Sequence, residues 1–216
     1  MEFATRRKYR MVDAGRDGAA LLGEQVLRSG EAVKWMSAEG VDGYLVAGRK
    51  QDGTVLDQRV ESKQTVWKRI FRPVITVVGL AEGHSPVFDD GHRMPVPPRA
   101  VVFGSDPQCM AMYDPSTPMP KAGEGVWVLT DRRFARVRLR PTLEWEERLP
   151  LVAKGDHPLP LEPVECALEY EVSADSVRLH RGVERAFKGR FGTKRALYDN
   201  ITLPDGSGFD FLSERR

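Results

Sequence analysis

The 216-residue chain has little cysteine, no long apolar run and no real excess of charge of either sign. Only Cys109 and Cys166 occur, without a C-x-x-C pair, so neither a disulfide framework nor a sulfur-rich zinc site is indicated. Both read as small buried apolar side chains. The longest apolar run, from Val74 to Ala81, falls far short of the ~20 residues that a membrane-spanning helix needs. The N-terminus is basic from Arg6 to Arg10 but has no apolar stretch behind it, so it does not read as a secretory signal. The expected location is cytoplasmic, with peripheral membrane contact as an added expectation. Basic and acidic side chains nearly cancel, 33 against 31, which excludes a molecule steered as a whole onto a polyanion. No specific nucleic-acid partner is expected, and any anion must be met by a local patch.

Catalytic signatures are also missing. There is no G-x-S-x-G elbow. The Gly-Lys-[ST] ending of a phosphate loop is absent too, since Thr193 precedes Lys194 instead of following it. The four histidines are scattered. His84 and His92 flank Asp89 and Asp90, a set that suits a metal and makes a metal-dependent hydrolase the enzymatic alternative. Gly83, Pro86 and Gly91 in the same stretch fit a polar surface loop equally. Cys109 would be a nucleophile only beside a histidine that the fold brought to it. No cofactor and no metal is expected, and binding is favoured over catalysis.

What is present is patterning. Residues 13–37 carry Leu21, Leu22, Val26, Leu27, Val33 and Met36 near helical spacing, interrupted by Gly23 and Gly30. Tyr44–Ala47 and Thr54–Leu56 flank Gln51-Asp52-Gly53, a hairpin signal. Residues 61–72 return to helical spacing and stop at Pro73. The Pro-, Gly- and Asp-rich stretch 85–98 reads as a linker. Beyond Arg99 the period becomes two. β-prone segments recur at 100–103, 110–113, 126–130, 134–140, 143–149, 167–172, 197–203 and 209–212. The expected fold class is α+β, mainly β: a small barrel or sandwich over 99–216 with a helix and hairpin segment over 1–98, or both as one integrated domain.

Two of these segments carry a resemblance. Trp127-Val128-Leu129-Thr130-Asp131-Arg132-Arg133-Phe134-Ala135-Arg136-Val137 and Ile201-Thr202-Leu203-Pro204-Asp205-Gly206-Ser207-Gly208-Phe209-Asp210 resemble strand-turn-strand hairpins of bacterial pleckstrin-homology-like (PH or GRAM-type) domains. Glu171–Val177 is similar to the strand that precedes a short turn in that family. The resemblance covers residues 99–216 and implies a small β-barrel with one mouth capped by a helix, which residues 13–37 would supply.

Three charged features are candidates for function. The densest is 178–195, with seven basic residues against the single acid Glu184. In its core, Lys188, Arg190, Lys194 and Arg195 surround Phe191, a set suited to phosphate or carboxylate groups with an aromatic that packs or inserts. The second is Arg136, Arg138 and Arg140, expected on one outer strand face opposite Glu144 and Glu146. The third is the helix-like stretch with Lys63, Trp67, Lys68, Arg69 and Phe71, which suits a membrane interface. The same residues also suit core packing rimmed by cations. The leading expectation is a non-catalytic interaction module for an anionic lipid surface or protein partner. A structural component of an assembly, without lipid binding, is the other alternative.

Overall fold

The computed structural model describes residues 9–50, 53–54, 96–112, 124–143, 160–189 and 192–213. The protein is mainly β; the described residues form one α-helix, α1 (Ala14–Gln25), and nine strands. The strands are β1 (Val33–Ser37), β2 (Gly43–Val46), β3 (Ala100–Gly104), β4 (Gly125–Thr130), β5 (Arg133–Pro141), β6 (Val164–Ser173), β7 (Arg178–Gly189), β8 (Gly192–Thr202) and β9 (Gly208–Leu212). They form two sheets, ordered β1-β4-β5-β6 and β2-β3-β9-β8-β7, and neither closes on itself among the described residues. Two compact units result, Met1–Glu39 with Pro120–Ala174 and Gly40–Met119 with Asp175–Arg216, each taking residues from both sides of position 99.

In the first unit all strand pairs are antiparallel, and α1 packs on one face of the sheet. The helix starts where Asp13 accepts the Arg16 N–H at 3.0 Å, a standard N-cap. Its apolar stripe, Ala14, Leu21 and Leu22, meets the alternating Val126 and Val128 of β4 and Ala135, Val137 and Leu139 of β5. Each buried leucine or valine there is worth about 1.5–3 kcal/mol. Gly18 permits the approach: a Cβ at that position would lie 2.7 Å from Val126 Cγ1.

The helical spacing of 13–37, which suits one broken helix or two short ones, corresponds to a helix only in its first half. The helix ends at Gln25, Gly30 turns the chain at a φ of 74°, and Val33–Ser37 pairs with β4. Glycine tolerates that left-handed turn, and beyond it Trp35 and Met36 alternate across a sheet instead of sharing a helix face.

The opposite face of this sheet holds aromatics. Trp127 stacks on Phe134 at 5.5 Å, Tyr170 meets both edge-on, and Arg136 lies over the Trp127 ring at 5.2 Å. Arg136 is fully buried, which corrects the expectation of an outer arginine stripe. The stripe reaches solvent only toward Arg140. Arg138 pairs with Glu169 and Arg140 stands in register with Glu165; Glu144 and Glu146 lie outside the described residues.

The β4–β5 turn carries a buried ion-pair cluster. Arg133 donates through Nε and Nη2 to Glu31 at 2.8 and 3.0 Å, through Nη1 to Glu171 at 3.0 Å, and through Nη2 to the Val26 carbonyl at 2.8 Å. It thereby satisfies a carbonyl at the C-terminus of α1. Thr130 donates its hydroxyl to Glu31 at 2.7 Å and accepts the Arg133 N–H at 3.0 Å.

The second unit has one parallel pair, β2 with β3, and is otherwise antiparallel. Phe209, Phe211, Ile201 and Val102 are buried by alternation on one face, and Phe187, Tyr198, Asn200 and Asp210 on the other. Asp42 accepts the N–H groups of Arg99 and Ala100, which fixes the start of β3. The turn expected at Gln51-Asp52-Gly53 is partly described, with the Lys50 N–H donating to the Thr54 carbonyl at 2.8 Å. The sheet neighbour of β2, however, is β3. Met110–Met112, expected as strand, is a 3₁₀ turn held by Asp205 and Ser207, which accept the N–H groups of Met110 and Ala111. Side chains that capture backbone donors compete with a strand ladder.

Candidate functional site

The basic segment 178–195 is a hairpin of two long strands. Sequence spacing alone leaves 176–187 ambiguous, because Leu179, Val183 and Phe187 lie four apart. The register resolves this: His180 pairs with Asn200 but Val183 with Tyr198, so β7 holds one extra residue opposite Asp199. That bulge puts Leu179 and Val183 on opposite faces although they are an even number apart. Asp199 answers it by accepting the Gly182 N–H at 3.3 Å.

β8 pairs with β7 from Gly192 to Thr202 but with β9 only from Tyr198 to Thr202. One further bond, from the Ser213 N–H to the Leu197 carbonyl at 2.8 Å, is the last contact of β8 with this side of the sheet among the described residues. Beyond Leu197 the hairpin continues, among the described residues, as a two-stranded ribbon to the Gly189–Gly192 pair. Isolated two-stranded ribbons are marginal in water. Within this one, Phe187, the register partner of Lys194, is buried against Tyr198 at 5.7 Å between ring centres.

The cations of the segment divide into three groups. Arg185 is structural: its guanidinium donates to Asp210 at 2.9 and 3.2 Å, and Asn200 donates to the same carboxylate at 2.7 Å. Arg178 and Arg181 are exposed at the base of the hairpin. Lys194 and Arg195 are exposed on the ribbon, in register with Phe187 and Ala186. Arg195 donates through Nη1 to Glu184 at 3.0 Å. Lys188 belongs to β7 and pairs with Thr193, whereas Arg190 and Phe191 lie outside the described residues.

The structure thus places Lys188, Lys194 and Arg195 on one ribbon, with Lys194 and Arg195 on its opposite faces. It removes Arg185 from the set and gives Glu184 a role that its isolation among cations did not suggest. The ladder geometry was the missing signal, since Glu184 and Arg195 are cross-strand neighbours only in this register. Three of the acids that precede the basic segment have partners within the first unit. Glu162 accepts the Val12 N–H, Glu169 pairs with Arg138, and Glu171 pairs with Arg28 and Arg133.

The remaining candidates fare differently. Lys63, Trp67, Lys68, Arg69 and Phe71 lie outside the described residues, as do His84, Asp89, Asp90 and His92. Among the described residues no group of three or more His, Cys, Asp or Glu side chains could hold a metal. Cys109 is buried, and burial pushes its thiol up against the pull of a hydrogen bond with Ser207. Such a thiol is a poor nucleophile at neutral pH. No described helix is long and apolar enough to cross a membrane.

No family model, curated protein or solved structure matches this chain.

Proposed function

We propose that this chain is a non-catalytic interaction module whose β7–β8 ribbon docks on an anionic membrane surface. The observation that carries the reading is the ribbon's extension past β9, with Lys194 and Arg195 exposed on it and one acid in the whole segment 178–195. A cation near an anionic leaflet contributes about 1 kcal/mol. Lys188, Arg190, Lys194 and Arg195 together would supply about 3–4 kcal/mol on that scale, a weak and salt-sensitive attachment. Phe191 follows Arg190 directly in the sequence, and a cation beside an aromatic suits the headgroup boundary. The resemblance of 127–137 and 201–210 to pleckstrin-homology-like hairpins is a proposal of local form, and the binding reading does not depend on a closed barrel.

Co-sedimentation with phosphatidylserine-containing and pure phosphatidylcholine vesicles tests the reading. The native chain should bind the anionic vesicles and release them as salt rises. The double variant Lys194→Glu, Arg195→Glu should lose that binding while unfolding at an unchanged temperature. Equal, negligible binding to both vesicle types would overturn the membrane reading. A stoichiometric protein partner co-purifying with the native chain and lost from the double variant would replace it.

A further inference from the structure

We propose that Glu184 is a built-in competitor for the ribbon's anion, holding Arg195 in the free protein and yielding it when an anionic lipid surface arrives; the inference rests on the membrane reading above. Glu184 is the single acid between Arg178 and Arg195, and it stands diagonally across the ladder from Arg195, on the face shared by Ala186, the direct partner of Arg195. Their contact is a single hydrogen-bonded ion pair, Nη1 to Oε1 at 3.0 Å, with the arginine side chain 70% and the glutamate 54% exposed. This differs from two other arginine pairs of the protein. Arg185 makes two bonds to a buried Asp210, and Arg133 makes two to a buried Glu31, so neither guanidinium is available to a partner.

An exposed single-contact pair opens at small cost and is screened by salt. A phosphate or lipid carboxylate can therefore take the Arg195 guanidinium from Glu184, and the loss of that internal pair is subtracted from the affinity. Once Arg195 has turned to the surface, Glu184 is left facing like charge, which further weakens attachment. The pair sets how anionic a surface must be before the ribbon binds.

A double-mutant cycle on vesicle binding tests this, using the native chain, Glu184→Gln, Arg195→Gln and the combined variant with phosphatidylserine–phosphatidylcholine vesicles. Glu184→Gln should tighten binding by roughly two- to fivefold, the range set by the strength of exposed ion pairs. Arg195→Gln should weaken it, and in the Arg195→Gln background the gain from Glu184→Gln should shrink. A gain of equal size in both backgrounds would assign the effect to net charge alone and overturn the inference. Unchanged or weaker binding by Glu184→Gln would also overturn it, while a preserved preference of the native chain for anionic vesicles would leave the membrane reading standing. If the native chain showed no such preference, both would fall. Unfolding temperatures of the four proteins establish that each is folded.

Discussion

Replacing Arg133 by methionine should destabilise the first unit more than any surface substitution, and should reverse the way its stability responds to acid. In the native protein burial pushes the Glu31 carboxyl up, but the Arg133 guanidinium, the Arg28 N–H and the Thr130 hydroxyl outweigh it and hold the group at about 2. Its ordinary value is 4.5, so the pair contributes stability above pH 4.5 that is lost as pH falls toward 2. The Glu31 side chain is 0% exposed and that of Arg133 5%, so methionine at 133 strands a buried carboxylate and frees the Val26 carbonyl. Breaking a buried pair from one side costs about 3–5 kcal/mol. The carboxyl limits the loss by taking a proton, which at pH 7 costs about 3 kcal/mol for a group that normally titrates near 4.5. Without its cation, burial alone acts on Glu31 and raises its pKa. The variant should then gain stability between pH 7 and pH 5, where the native protein's pair is unaffected. Urea unfolding at pH 7, 6 and 5 reads both the loss and its pH slope. A variant within about 1 kcal/mol of the native protein, or with the same pH slope, would refute the reasoning.

Two further outcomes follow from the second unit. Asp210→Asn removes the carboxylate that Arg185 and Asn200 share, and should lower unfolding stability by about 1–3 kcal/mol; no change in urea midpoint would mean the cluster is not held by charge. Cys109, buried with its thiol pushed up, should react with a thiol reagent at neutral pH far more slowly in the folded protein than in urea, and equal rates would place it at the surface.

For three of the segments with a period of two, local form was legible in the residues. Val126–Thr130, Phe134–Arg140 and Phe209–Leu212 are strands because alternating β-prone side chains fit a pleated surface buried on at least one face. The start of α1 was legible as well, through Leu21 and Leu22 at helical spacing behind the Asp13 cap. Its end was not, because Val33, Trp35 and Met36 fit either period until β4 supplies hydrogen bonds on one side. Met110–Met112 is β-prone in composition but is claimed by the Asp205–Ser207 turn, a contact nearly a hundred residues away in sequence.

The sequence by itself determined a mainly β chain with few cysteines, no spanning helix among the described residues, and one dense basic segment at 178–195. These follow from composition and local periodicity, which act over a few residues. The tertiary structure decided which charges in that segment are available. Arg185 is held by Asp210, Arg195 pairs with Glu184, and Glu169 and Glu171 of β6 pair with the first unit's own arginines. It also decided that the strands after Arg99 divide between two sheets. Pairing across a sheet depends on register between distant segments, and a one-residue bulge such as that opposite Asp199 moves every following side chain to the other face.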